Sequence, residues 1–440
     1  MVLIAGNDSS IARIVAVSAR VYYGPMQQAA RNRASDPGTE FTCTVTTLSG
    51  IEQILSAELT ALGIPEHTVV SRAIAFQAGR EDIYRCLHQL RTGLRVLVHI
   101  GSFEAHDADE LYRKAGEIPW NSVISGENTF AVSCTVASDL FHHSGFAALK
   151  LKDAVVDQFR ARTGRRPNVE PEHPDVRLHL HIEGSRCTVS RDAAGDSLHK
   201  RGYRLKAGDA PLTETLAAGL LGLSGFSPGS LLVDPFCGSG TIVIEAALMA
   251  LGIPPGELRT RFGLSYGCER WLDFDSRLWK KVTGAESHAK SGDVQLFGFD
   301  LDQKVIAIAQ ENARRAGVDH AVHFQQADVR TLDLDRVAGG RIAAARSGGG
   351  SRLVVANPPY GERLVDPDLG DLYRATGDTL KRQFAGFDAW VLSGNFAALK
   401  QVGLRSERRI PLMNGPLECR YVHFKLREKQ QEEVNRHDDT

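Results

Sequence analysis

The tetrapeptide Asn357-Pro358-Pro359-Tyr360 follows the apolar run Leu353-Val354-Val355-Ala356. A run of that kind reads as a buried strand. Two prolines cannot donate to a strand ladder, so the strand must stop at Asn357. An amide, a backbone carbonyl and an aromatic ring are thereby fixed at the carboxyl end of a strand, the edge at which open α/β sheets bind ligands. This set suits attack by an exocyclic amine of a planar base, a weak nucleophile because its lone pair is delocalised into the ring. The Asn357 side-chain oxygen and the Pro358 carbonyl can each accept an N–H of that amine. Two acceptors out of the ring plane favour a pyramidal nitrogen and return the lone pair for attack. Such preorganised dipoles count for more in a dry pocket than in water. The Tyr360 ring can stack on the base. In isolation, a Pro-Pro turn that merely closes a strand would look the same.

A second segment narrows the reading. Leu231-Leu232-Val233 is a short apolar strand running into Asp234-Pro235-Phe236-Cys237-Gly238-Ser239-Gly240-Thr241, followed by a helical run from Ile242 to Leu251. Strand, glycine turn, helix is the layout of a nucleotide-type site. The pattern is neither the dinucleotide fingerprint nor a phosphate loop, because no Gly-Lys-Ser/Thr follows. A carboxylate ahead of the glycines repels phosphate and suits a ligand carrying an ammonium and a sulfonium, such as S-adenosylmethionine. Gly238 and Gly240 allow the close backbone approach, and Asp234, Pro235, Phe236 and Thr241 frame it. Gln295 to Phe299 reads as the next strand and ends at Asp300, with Asp302 two residues on, placed for ribose hydroxyls. Val322 to Ala327 reads as a third strand, with Asp328 at its end placed for the adenine amino group. Taken singly, each aspartate could be a helix cap or a loop residue. The stretch from Gly252 to Asp293 reads as an insertion rich in Arg, Trp and Gly.

Four stretches carry a specific resemblance: Leu198 to Arg204, Ala210 to Ala218, Asn357 to Leu364, and Asn414 to Cys419. With them the chain resembles class I S-adenosylmethionine-dependent methyltransferases of the Asn-Pro-Pro-Tyr type, and within these the large-subunit ribosomal RNA guanine-N2 methyltransferases. In some bacteria that activity is the amino-terminal half of a two-headed enzyme. The resemblance runs from about Phe41 to about Leu426, and no second catalytic module is expected in this chain. It implies an α/β fold: a Rossmann-like sheet with a carboxyl-terminal antiparallel hairpin, preceded by an α+β ferredoxin-like and THUMP module. The expected divisions are a leader at 1–40, a ferredoxin-like segment at 41–80, and a THUMP-like RNA-binding domain at 81–193. A linker at 194–205, the methyltransferase domain at 206–427 and a disordered tail at 428–440 complete them. The implied partner is structured RNA, with ribosomal RNA favoured over transfer RNA, and no metal is required.

Composition agrees with an ordinary globular chain. At 440 residues it is long enough for two or three domains. The seven cysteines are scattered, with no Cys-x-x-Cys pair and no zinc spacing, as for reduced thiols in a cytoplasmic setting. No stretch is apolar enough to span a bilayer. The first 40 residues are poor in acids and contain four arginines, so an organelle transit peptide, a disordered extension and an over-called start all fit. Nothing in the sequence fixes an oligomeric state. Net charge is −1, but it is unevenly spread. Residues 41–149 hold 7 Lys/Arg against 12 Asp/Glu, and residues 150–206 hold 13 against 8. That basic segment is expected to contact phosphates through Lys150, Lys152, Arg165, Arg166, Lys200, Arg201 and Arg204. Two other readings stay open: methylation of adenine N6 in DNA or of a glutamine amide in protein, since the amide motif serves those amines equally well, and a non-catalytic RNA-binding scaffold.

Overall fold

A computed structural model describes residues 40–205, 212–284, 294–337, 342, 350–360 and 368–428. The leader, most of the tail, Ala210-Pro211, Gly361 to Leu364 and most of the glycine-rich insert near Gly348 lie outside the described residues.

Alternation of apolar and polar residues builds the amino-terminal half. Strands β1 (Phe41–Thr46), β2 (His67–Val70), β3 (Ala73–Ala78), β4 (Arg95–Glu104), β5 (Thr129–Ala137), β6 (Asn168–Val169), β7 (Val176–Glu183) and β8 (Arg186–Asp192) form one sheet in the order β2-β3-β1-β4-β8-β7-β5-β6. The ferredoxin-like and THUMP-like segments therefore share a sheet, with β4 as the common strand: it pairs with β1 on one side and β8 on the other. Helices α1 (Glu52–Ala61), α2 (Arg80–Gln89), α3 (Ala108–Ala115) and α4 (Ser144–Thr163) accompany it, and a single core joins Val45, Leu55, Val98, Trp120, Leu151 and Leu180. The apolar stretch from Val69 to Ala78, which reads as one strand, is a hairpin. Its turn residue Arg72 has φ of 58° and is held there by its N–H donating to Glu52 Oε1 at 3.0 Å.

The carboxyl-terminal half is a second sheet. Its strands are β9 (Leu231–Asp234), β10 (Gln295–Asp300), β11 (Val322–Gln326), β12 (Arg352–Ala356), β13 (Asp388–Ser393), β14 (Arg408–Asn414) and β15 (Leu417–Lys425). Their order is β11-β10-β9-β12-β13-β15-β14. The first five are parallel, and the last two form an antiparallel hairpin that enters against β13. The order reverses between β9 and β12, where β9 neighbours both β10 and β12. That is the switch point at which doubly wound sheets bind ligands, outside the strands' carboxyl ends. Helices α5 (Glu214–Leu223) and α6 (Thr241–Ala250) are buried along their whole length, which is why they carry almost no polar face.

The insertion after α6 joins the halves. Its helices α7 (Pro255–Arg261) and α8 (Ser276–Thr283) lie against α2, and Tyr266, Cys268, Trp271 and Val282 belong to the amino-terminal core. Asp273 accepts from Arg191 through both oxygens at 2.8 Å, and Arg191 lies over the Trp271 ring at 3.8 Å. From the other side, buried Arg91 donates to Ile253 O at 2.8 Å and Leu248 O at 3.3 Å. A cation there is favourable, because the last carbonyls of a helix lack intrahelical partners. The amino-terminal module thus holds the far end of the helix whose near end begins at the glycine turn. No single helix among the described residues is long and apolar enough to cross a membrane.

Candidate active site

Four neighbouring strands end in candidate residues. Asp234 closes β9, Asp300 closes β10, Asp328 stands two residues beyond β11, and Asn357 follows β12 directly. Between them lies a cavity of about 780 Å³ whose lining includes Asp234, Phe236, Gly238, Asp300, Asp328 and Asn357. Pro235, Thr241, Asp302 and Pro359 also line it. Gly240 does not: its Cα faces the packing between helix and strand, where a Cβ would stand 2.8 Å from Phe324 Cζ and 3.1 Å from Ala309 Cβ. Gly238 is the glycine at the cavity. Its φ is +53°, and a Cβ there would meet nothing within 4 Å, so the missing side chain leaves room in the cradle itself.

The carboxylates divide their work. Asp300 Oδ2 accepts the Gly238 N–H and Oδ1 the Asp302 N–H, each at 3.0 Å, so Asp300 fixes the glycine turn. Asp302 accepts from Lys304 N at 2.8 Å and starts the helix Gln303–Ala316, α9. Asp328 is engaged by Arg330 through both oxygens, and that guanidinium holds its carboxyl below the usual carboxylate range. Asp234 is different. It is 1% exposed, its Oδ1 accepts the Phe236 N–H at 3.0 Å, and its Oδ2 has no partner among the described residues. Burial, with the nearby Asp300 charge adding to it, pushes its pKa from 3.8 to about 8. A buried carboxylate with a free oxygen at a cavity is a seat for a cation, and fits the ammonium of an amino-acid ligand. The Cys237 thiol is also pushed well up by burial, so it stays protonated and is no nucleophile.

At the strand-end motif, Asn357 Oδ1 is buried and also without a partner among the described residues. Pro358 is buried and Pro359 exposed. The Pro359 carbonyl accepts from Tyr373 Oη at 3.3 Å, on the helix Leu369–Gln383. Tyr360 is half-buried and does not reach the cavity wall.

The expected phosphate contacts fare unequally. Arg201 is fully buried, donates to the carbonyls of Leu198 and Arg91, and lies 3.8 Å from the equally buried Glu245. Arg204 donates to Leu212 O at 2.7 Å and Thr241 Oγ1 at 2.8 Å, with Glu214 at 3.6 Å. Neither arginine is free for a phosphate: their charges are spent inside the protein, bracing α5 and α6. Lys150 pairs with Asp109 and Lys152 with Asp153, each at 2.8 Å. Arg165 is 83% exposed, with Glu127 at 3.9 Å. Arg166 is exposed, and Lys200 is exposed beside Asp196. Sequence reasoning overlooked Asn312, fully buried on α9, which donates to Ser239 O at 3.0 Å and accepts the Leu205 N–H at 3.1 Å. The signal was an amide on the apolar face with Ile306, Ala309, Ala313 and Ala316.

Comparison with known proteins gives this geometry a family. Residues 201–423 match the model of the RMKL-like methyltransferase domain. The chain belongs to the RMKL-like methyltransferase family. Ahead of that domain, residues 42–97 match the RlmL ferredoxin-like domain and residues 105–192 the THUMP domain. The chain is 40% identical over 389 residues to a ribosomal RNA large subunit methyltransferase K/L of Syntrophotalea carbinolica, a match covering 86% of this chain and 53% of the relative. It thus spans about half the length of that RMKL-like relative. It is 37% identical over 384 residues to a putative RNA methyltransferase of Synechocystis sp., covering 87% of this chain and 96% of the relative. Among solved structures, a putative methyltransferase complexed with SAH superposes with a TM-score of 0.75 at 26% identity, covering 89% of this chain and 100% of the other.

Proposed function

We propose that this chain methylates the exocyclic N2 amine of a guanosine in structured RNA, with large-subunit ribosomal RNA as substrate and S-adenosylmethionine as cofactor. One observation carries the reading: two buried acceptor atoms, Asp234 Oδ2 and Asn357 Oδ1, have no partner among the described residues and belong to residues lining the same cavity. Buried acceptors are rarely left unmet, so each points to a ligand group. Asp234 takes the ammonium of the cofactor, Gly238 leaves room for its chain, and Asp300 and Asp302, on the same cavity wall, offer oxygens to the ribose hydroxyls. When bound, the cofactor supplies an electrophilic methyl on its sulfonium. Asn357 Oδ1 and the Pro358 carbonyl then accept the two N–H groups of the target amine, and Tyr360 offers its ring to the base. The guanosine leaves its stack to reach them. The solved relative with SAH and the relatives named as RNA methyltransferases support this assignment, as does the THUMP match.

Nucleoside mass spectrometry of separated ribosomal RNA, transfer RNA and DNA from a deletion strain tests the substrate. Loss of N2-methylguanosine from large-subunit RNA is the expected result. Loss from transfer RNA alone would move the substrate, and loss of N6-methyladenine from DNA would overturn the reading. In vitro, Asn357→Ala is expected to lower turnover roughly a hundredfold or more, the scale for a lost preorganised dipole, while SAH affinity holds. Turnover that survives the change would mean that the amine is activated elsewhere.

A further inference from the structure

The tip of the carboxyl-terminal hairpin, where β14 ends at Asn414 and β15 begins at Leu417, has no part in the chemistry above, yet it reaches the tyrosine of the strand-end motif. Asn414 Nδ2 donates to Tyr360 Oη at 3.0 Å. The buried Cys419 lies in the same hairpin, paired with Leu412. Along its edge the Tyr360 ring lies on Gly394, just past β13, where a Cβ would stand 3.0 Å from Tyr360 Cδ2. Any side chain at 394 would push the ring away. The residue before the tyrosine is fixed as well, because the Tyr373 hydroxyl that meets the Pro359 carbonyl also bonds Ser393 Oγ at 2.7 Å. The Tyr360 hydroxyl is thus turned into the protein and occupied, so a planar partner could meet this residue only through its ring.

We propose that Asn414 is a positioning residue that sets the angle of the Tyr360 ring against the target base. The proposal rests on the reading that Tyr360 meets that base. A tyrosine free to turn must lose its rotamer freedom each time the base arrives, whereas a ring pinned at its hydroxyl has already lost it. The hairpin therefore acts on RNA and not on the cofactor, whose cavity it does not line.

The test uses the full chain, unmethylated large-subunit RNA from a deletion strain, and the variants Asn414→Ala, Tyr360→Phe and their combination. Loss of one neutral hydrogen bond should lower kcat/KM for RNA roughly 3- to 10-fold in each single variant, with KM for RNA carrying most of the change and SAH affinity unchanged. The double variant should be no worse than either single one, because Asn414 acts only through the hydroxyl that phenylalanine lacks. Losses that multiply, or a kcat/KM for Asn414→Ala equal to that of the native chain, would overturn the proposal. Should Asn414→Ala lose SAH binding, the similar-sized Asn414→Leu, which can neither donate to nor accept from the Tyr360 hydroxyl, replaces it in the cycle with the same expected outcomes. Asn357→Ala in the same assay separates the two levels: if it too methylates RNA normally, the reading of the whole motif fails, and not only the role of Asn414.

Discussion

Cofactor binding should release a proton from Asp234. In the free protein burial holds this carboxyl at a pKa of about 8, against 3.8 ordinarily. For an acid whose folded pKa is raised, the neutral form prevails in the fold and the ionised form in the unfolded chain. The fold therefore bears a cost that begins near pH 4, grows with pH, and levels off above about 8, on the order of 5 kcal/mol at the plateau. A ligand cation beside Oδ2 reverses the preference, so binding drives the proton off. At pH 7 the free carboxyl is mostly protonated, and uptake of SAH should release most of a proton from it. Affinity should rise by up to about tenfold per pH unit between pH 6 and 8 and flatten above. Calorimetry of SAH binding in buffers of different ionisation enthalpy counts the protons. Asp234→Asn, which cannot titrate, subtracts the ligand's own contribution. The same variant should be more thermally stable than the native chain when ligand is absent, by a margin that widens from pH 5 to pH 8. Equal proton counts in the two proteins, with affinity flat over pH 6–8, would refute the assignment of Asp234 as the cation seat.

Three further outcomes are expected. Gly238→Ala places a methyl in the cradle and a side chain at φ of +53°, a strain of about 1–2 kcal/mol; SAH affinity should fall at least roughly tenfold, and unchanged affinity in calorimetry would remove the glycine turn from the site. Arg201→Met leaves buried Glu245 without its counter-charge and should destabilise the protein by about 3–5 kcal/mol in denaturant unfolding, most of it restored by adding Glu245→Met; a loss confined to RNA binding would restore Arg201 as a phosphate contact. Replacing Arg165, Arg166 and Lys200 together by Ala should weaken RNA binding and reduce its log–log salt slope by roughly 2 to 3, whereas the pair Lys150→Ala and Lys152→Ala, already matched by Asp109 and Asp153, should leave the slope nearly unchanged.

The strand ends were legible in sequence for a physical reason. A central parallel strand is buried on both faces, so it is short and wholly apolar, and the first polar residue after it marks the ligand-facing edge. Leu231-Leu232-Val233 before Asp234 and Leu353 to Ala356 before Asn357 show this directly. The carboxyl-terminal hairpin was equally plain, because Asn414-Gly415-Pro416 separates two β-rich runs, although the register pairs Asn414 with Leu417 and puts Gly415-Pro416 at the turn. The turn at Arg72 was hidden because the residue that takes the left-handed backbone is an arginine held there by Glu52, a contact 20 residues away. Charge read along the chain misled in the same way. A count of 13 bases against 8 acids in residues 150–206 says nothing of which bases face water. Arg191, Arg201 and Arg204 find their acidic partners at Asp273, Glu245 and Glu214, all carboxyl-terminal to that window.

Those long-range pairs bear on function, because they brace the two halves against each other. Arg91 of the first sheet's module reaches the carboxyl end of α6, Arg201 lies between the Arg91 carbonyl and Glu245 on the same helix, and Arg204 touches Thr241 at its start. Asn312 then ties Ser239 of the glycine turn to Leu205, immediately before the undescribed stretch 206–211. A basic segment expected to grip RNA from outside is instead, in part, the internal frame that fixes an RNA-type module to a cofactor loop. On the proposed function, placing a target base within reach of Asn357 requires the two halves to keep a set distance, since a misplacement of about 1 Å can cost roughly a hundredfold in rate. Arginines buried between them serve that requirement in a way surface arginines could not: a flexible surface pair contributes little, whereas loss of one buried partner leaves an uncompensated charge and is strongly resisted.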